Sequence, residues 1–99
     1  MNKKPVYFVG DVDIHNLENY QGYMEQVKPI VEKYGGEYLT RGGSMEAFET
    51  HLWSPTRMVL LKFPDKDSAM KWMNSAEYQP VKKIRQANSS ATMVLLEGL

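Results

Sequence analysis

Arg41 stands at the centre of the chemistry this sequence offers. It lies in "KYGGEYLTRGG", residues 33 to 43, between the pairs Gly35-Gly36 and Gly42-Gly43. A guanidinium is a planar fork of donors that matches a carboxylate or a phosphate. Glycines beside it let backbone N–H groups approach a bound anion, so Arg41, Gly42 and Gly43 read as an anion-recognition corner. The plainer alternative is a glycine bulge or turn, with Arg41 solvated or paired with Glu46. Aromatic side chains could wall such a site. Tyr20, Tyr23, Trp72 and Tyr78 fall on or beside helical apolar stripes, where core packing competes with ligand binding. Arg85 follows Tyr78 by seven residues and shares its helical face, so it calls for an acidic partner or a ligand.

Catalytic groups are sparse. His15 and His51 are the only histidines, and neither stands at metal-ligand spacing from the other. His51, Asp11 and Tyr20 are the candidates for acid–base work, because a histidine titrates near neutral pH and the others lie near element ends or the inner stripe. Asp11 with Asp13 makes only a thin oxygen pair for a metal. No phosphate loop, dinucleotide fingerprint or serine elbow occurs, and no cofactor or metal is expected. An "RGG" also occurs in RNA-binding repeats, but those form disordered arrays, whereas this one sits inside an ordered pattern.

The elements that must position these residues follow from periodicity. "VYFVGDVDI" (6 to 14) is a strand whose alternate residues Val6, Phe8, Val12 and Ile14 share one face, with Gly10 leaving a gap among them. Leu17, Tyr20, Met24, Val27, Val31 and Tyr34 then recur three or four apart, a helical stripe capped by Asn16 and ended by Gly35. Pro29 lies inside it and predicts a kink. "EYLT" (37 to 40) and "MEAFETHL" (45 to 52) read as one strand bent at "RGGS", and "TRMVLLKF" (56 to 63) as the next. Asp65 or Asp67 caps a helix with Ala69, Met70, Trp72 and Met73 towards the core. Ser75 caps a second piece facing inward with Tyr78, Val81 and Ile84, and "TMVLLEG" (92 to 98) closes the chain as a strand.

The order β, α, β, β, α, β predicts a single α+β domain over residues 1–99, a split βαβ with an antiparallel sheet and helices on one face. Nothing is left in the chain to cover the other face, which predicts a second copy packed sheet against sheet. A chain of 99 residues with 42 % hydrophobic and 24 % charged residues can fold alone, and self-association would improve its poor surface-to-volume ratio. Zero formal net charge argues against a nucleic-acid partner, and "VKKIR" (81 to 85) reads as a wet helix face. The absence of cysteine excludes disulfides and thiolate chemistry. No signal-peptide pattern and no apolar run of membrane-spanning length appears, so the expectation is a soluble cytoplasmic protein without a membrane partner.

Four stretches, "DVD" (11 to 13), "YQGYMEQVKPIVEKYGGEYLTRGG" (20 to 43), "RMVLLKFPDKDSAMKWMNSAEYQPVKKIR" (57 to 85) and "VLLEG" (94 to 98), resemble the bacterial family labelled domain of unknown function 1330, within the dimeric α/β-barrel superfamily. The resemblance implies a ferredoxin-like monomer whose sheet pairs with that of a second chain and encloses a cavity. It implies no activity. Thr40 replaces the alanine common in that family, Ala76 a proline, and Lys62 an acidic residue, which would invert the charge of any cavity it faced. The expected function is a homodimer binding a small organic anion in an aromatic-lined cavity. The alternatives are a cofactor-independent enzyme, like the monooxygenases, isomerases and dehydratases among related barrels, and a protein-interaction module.

Overall fold

The protein's structure, a computed structural model, describes residues 3–99. β1 (Val6–Ile14) leads into α1 (Leu17–Lys33), then β2 (Glu37–Arg41), β3 (Met58–Phe63), α2 (Lys66–Asn74), α3 (Tyr78–Asn88) and β4 (Ser89–Glu97). The sheet order is β2-β3-β1-β4, and all three pairings are antiparallel. That is the expected split βαβ topology, with all helices on one face.

Local chemistry accounts for the boundaries. Asn16 accepts from the N–H of Asn19 at 3.1 Å and caps α1. The helix runs through Pro29 as a single element and ends where Gly35 takes φ 85. Gly36 is needed for another reason: a Cβ there would lie 2.6 Å from the Phe63 ring and 2.7 Å from Val31. Asp65 accepts from the N–H of Ser68 at 2.8 Å and caps α2. The chain turns between α2 and α3 at Ser75, whose Oγ accepts from the N–H of Tyr78 at 3.3 Å.

The core lies between the helices and the inner face of the sheet. Val6, Phe8 and Val12 of β1 and Leu61 and Phe63 of β3 meet Tyr20, Tyr23, Val27 and Val31 of α1. Trp72 and Tyr78 complete it, their rings 4.4 Å apart, with Phe63 stacked 5.5 Å from Trp72. Two expected inward residues point out instead: Leu17 in the first turn of α1, and Met70 on the wet side of α2. No helix among the described residues is long and apolar enough to cross a membrane.

The expected strand over 45 to 52 does not form. Residues 42–57 make a long arm without regular structure. It has no strand to pair with, because β2 ends at Arg41 and its partner β3 begins only at Met58. Gly42 takes φ 70 and donates to the carbonyl of Met58 at 3.0 Å, the last bond before the chain leaves the sheet. The arm therefore carries Phe48 and Leu52 out with 90 % and 92 % exposure.

Two glycines separate steric need from conformational cost. Gly36→Ala should destabilise by about 1–3 kcal/mol, because its methyl must displace Phe63 and Val31. Gly22→Ala, inside α1 with nothing nearer than the flexible end of Gln26 at 3.9 Å, should stabilise by about 0.5–1 kcal/mol. Urea denaturation of both variants checks the pair of signs.

Candidate functional site

Residues three apart on a regular strand point to opposite faces. Tyr38 and Arg41 do not, because β2 carries a bulge: Tyr38 pairs with Leu61 but Thr40 with Leu60. The extra residue, Leu39, brings both side chains to the helix-covered face. The Arg41 guanidinium then lies 4.5 Å from the centre of the Tyr38 ring, and its Nη1 donates to the carbonyl of Met24 on α1 at 3.4 Å. Arg41 makes no ion pair with Glu46. The inner face also rules out a place for Arg41 between two facing sheets.

Gly42 makes room for a second arginine that the sequence did not flag. A Cβ at Gly42 would fall 2.7 Å from Nε of Arg57. Arg57 ends the arm and places its guanidinium 5.7 Å from the Tyr20 ring centre, with Nη2 donating to Met24 Sδ at 3.5 Å. What fixes it is Asp11, on the opposite face of the sheet. One Asp11 oxygen accepts from the backbone N–H of Thr56 and of Arg57, at 2.9 and 3.0 Å, and the other from the Trp53 indole at 2.9 Å. These bonds, led by that from the Arg57 backbone, hold the Asp11 carboxyl below its usual range.

Arg85 of α3 supplies the third guanidinium, partly buried beside Tyr78, Tyr23 and Tyr20. Burial opposes its charge, and the neighbouring tyrosines favour it. Tyr23 and Tyr78 share a hydrogen bond between their hydroxyls at 3.1 Å. Burial raises the Tyr20 hydroxyl while Arg57, Arg85 and Arg41 all pull it back, so one phenol senses all three guanidiniums. Nη1 of Arg57 and Nε of Arg85 are buried without a hydrogen-bond partner. Among the described residues, none of the three arginines is in an ion pair.

The other candidates scatter. Gly43 has ordinary backbone and is exposed, so of the glycine pair only Gly42 shapes the site. Trp72 is 1 % exposed and serves as core, its Nε1 also without a partner. Asp11 lies on the outer face, His51 is exposed on the arm, and Tyr20 is buried on the inner side of α1, so the three acid–base candidates do not meet. His15 contacts Ser90 Oγ at 3.1 Å in an exposed position and bonds none of the arginines. Among the described residues no three His, Asp or Glu side chains are grouped to hold a metal. Lys62 pairs across the sheet with Tyr7 and Glu37 on the outer face and leaves the charge of the arginine site unchanged. Arg57 and Tyr38 are the residues that sequence reasoning missed. The one available hint was an arginine directly before the apolar run of β3.

The outer face has its own hollow, of about 680 Å³, lined by Val9, Met58, Val94 and Leu96 with Trp53 and Asp11 at its rim. Beneath the sheet is a second space of about 30 Å³, lined by apolar side chains around Gly10 and by Tyr38.

Burial raises the Tyr38 hydroxyl from 10.0 to about 12, against the pull of Arg41. Below pH 10 both folded and unfolded chains keep this proton, and the contribution to stability is complete. Between pH 10 and about 12 the unfolded chain alone releases it, so stability falls as pH rises. Urea midpoints measured across that window should fall less steeply in Tyr38→Phe than in the wild type.

Comparison with solved structures agrees with the fold. The chain is similar to the RPA0582 protein of unknown function from Rhodopseudomonas palustris, with a TM-score of 0.80 at 16 % identity, covering 99 % of this chain and 85 % of that one. It is similar to SnoaB, a cofactor-independent oxygenase from Streptomyces nogalater, with a TM-score of 0.69 at 12 % identity over 97 % and 94 % of the two chains. A dimeric protein of unknown function and ferredoxin-like fold from Bacteroides fragilis gives 0.56 at 16 % identity over 95 % and 96 %. At these identities the likeness is one of fold, and the fold is ferredoxin-like. No curated protein matches the chain. The family model described as domain of unknown function (DUF1330) matches residues 5–99, and the chain belongs to that family.

Proposed function

We propose that this protein is a homodimer that binds a small organic anion between its helices and the inner face of its sheet. The observation that carries the reading is the trio Arg41, Arg57 and Arg85, with two buried donor atoms unpartnered and no carboxylate paired to any of them. Leaving such donors unmet is costly, and a bound oxyanion would satisfy them with charge-assisted bonds. Tyr20 and Tyr23 would flank that anion as neutral hydroxyls, since burial is the leading cause that raises both.

The outer face supports the dimer. Val94 and Leu96 are 48 % and 49 % exposed beside Val9 and Trp53 around the 680 Å³ hollow. A second copy is the natural cover for such a face, and the similar Bacteroides fragilis protein is described as dimeric. Leu52 and Trp53 line a common groove, so the arm's apolar residues are continuous with this surface and favour a second copy over a separate partner protein. The likeness to a cofactor-independent oxygenase makes catalysis the second reading, because three guanidiniums would also stabilise an enolate or phenolate. Binding is preferred, as Asp11 and His51 lie away from the trio and Tyr20, the acid–base candidate beside it, is a phenol whose proton burial helps to retain.

Thermal unfolding with small carboxylates tests the site. At about 100 times the dissociation constant a ligand adds roughly 2.7 kcal/mol, which is several degrees in a domain of this size. Arg57→Met should abolish that shift and also raise the melting temperature of the free protein, because it removes an unpaired charge and keeps the apolar stem. An unchanged ligand shift in Arg57→Met would remove the anion role from the trio. For the dimer, Val94→Asp should halve the mass seen by sedimentation, and a monomeric wild type would refute the pairing.

A further inference from the structure

Gly10 occupies the middle of the central strand β1, where glycine has no evident structural return. Its φ is not positive, and an added Cβ would meet nothing nearer than Met93 Cγ at 3.4 Å, an ordinary contact. Alanine would fit, would pack, and would cost less conformational entropy on folding. The position faces the buried side, between Phe8 and Val12. Directly over it is the 30 Å³ space lined by Phe8, Val12, Tyr38, Val59 and Met93. A space of that size holds roughly one or two carbon-sized groups, and a lining that is almost wholly apolar disfavours water.

The register ties this space to the arginines. Gly10 pairs with Val59, and Val59 with Arg41, so the three residues form one row across the inner face. Two strand spacings, roughly 10 Å, separate the backbones of Gly10 and Arg41. Tyr38 belongs to both places, because its ring lies under the Arg41 guanidinium and also lines the space. We infer that the gap at Gly10 is the tail pocket of the anion site, and that the ligand is a short amphipathic carboxylate whose apolar end lies over Gly10. The inference rests on the anion reading above and adds the class of ligand and the residue that limits its length.

A series of straight-chain carboxylates from acetate to octanoate, titrated by calorimetry into the full-length protein, tests it. Affinity should rise by roughly fourfold per methylene buried until the space is filled, then level off. In Gly10→Ala, acetate should bind as before, the gain from longer tails should fall by about fourfold, and the free protein should melt higher. Equal affinity along the series, or a tail dependence unchanged in Gly10→Ala, would overturn the tail pocket and leave acetate binding to stand for the anion site. No binding by any member, acetate included, would overturn the anion reading and the tail pocket with it.

Discussion

The Asp11 carboxylate is the contact on which the arrangement depends. It sits on the outer face of β1, opposite Met58 in the sheet register. From there it gathers the Trp53 indole and two successive backbone N–H groups, those of Thr56 and Arg57. That grip ends the arm and starts β3 in a single register. Because neighbouring residues of a strand face opposite ways, holding the Arg57 backbone from outside commits its side chain to the inside. An outward acid thus positions an inward base, with a strand between them. The Val12 N–H, donating to the Arg57 carbonyl at 2.9 Å, holds the next peptide of the same residue from the β1 side.

The interior so formed is polar without being neutralised. Phenols surround the guanidiniums where carboxylates would ordinarily be found. A neutral hydroxyl accepts a hydrogen bond but brings no countercharge, so the positive field of the site persists. Zero net charge over the whole chain gave no hint of this, because the acids are deployed elsewhere: Asp65 and Glu97 beside N-terminal lysines, Glu77 on Lys33, and Asp11 on the arm. Overall balance and local imbalance are compatible when acids serve as caps and anchors.

Much of the fold was legible because its signals are local. The Asn16 and Asp65 caps, the Gly35 terminus and the stripe through Tyr20, Val27 and Val31 need only neighbours within a turn. The arm was misread because strand formation needs a partner strand alongside as well as suitable residues, and whether one lies there is a property of the whole sheet. Of the residues grouped in the candidate site, Arg41, Tyr20, Tyr23, Tyr78 and Arg85 were visible by type and spacing. Arg57 was not, since its role comes from Asp11, forty-six residues away in sequence. The bulge at Leu39 was hidden as well. Sequence placed the irregularity at the glycines, whereas β2 places it earlier and so turns Arg41 to the inner side.

The contact between Gly42 and Arg57 also constrains how the sequence can change. With Arg57 present, any side chain at 42 meets a buried guanidinium as well as a left-handed backbone. Once Arg57 is replaced by something shorter, only the backbone strain remains, about 1–2 kcal/mol. The two positions are therefore non-additive, and the order of substitution matters. A mutational path that begins at 42 must push the guanidinium aside as well as strain the backbone, whereas one that begins at 57 later meets the strain alone and gives up a positive charge on its first step.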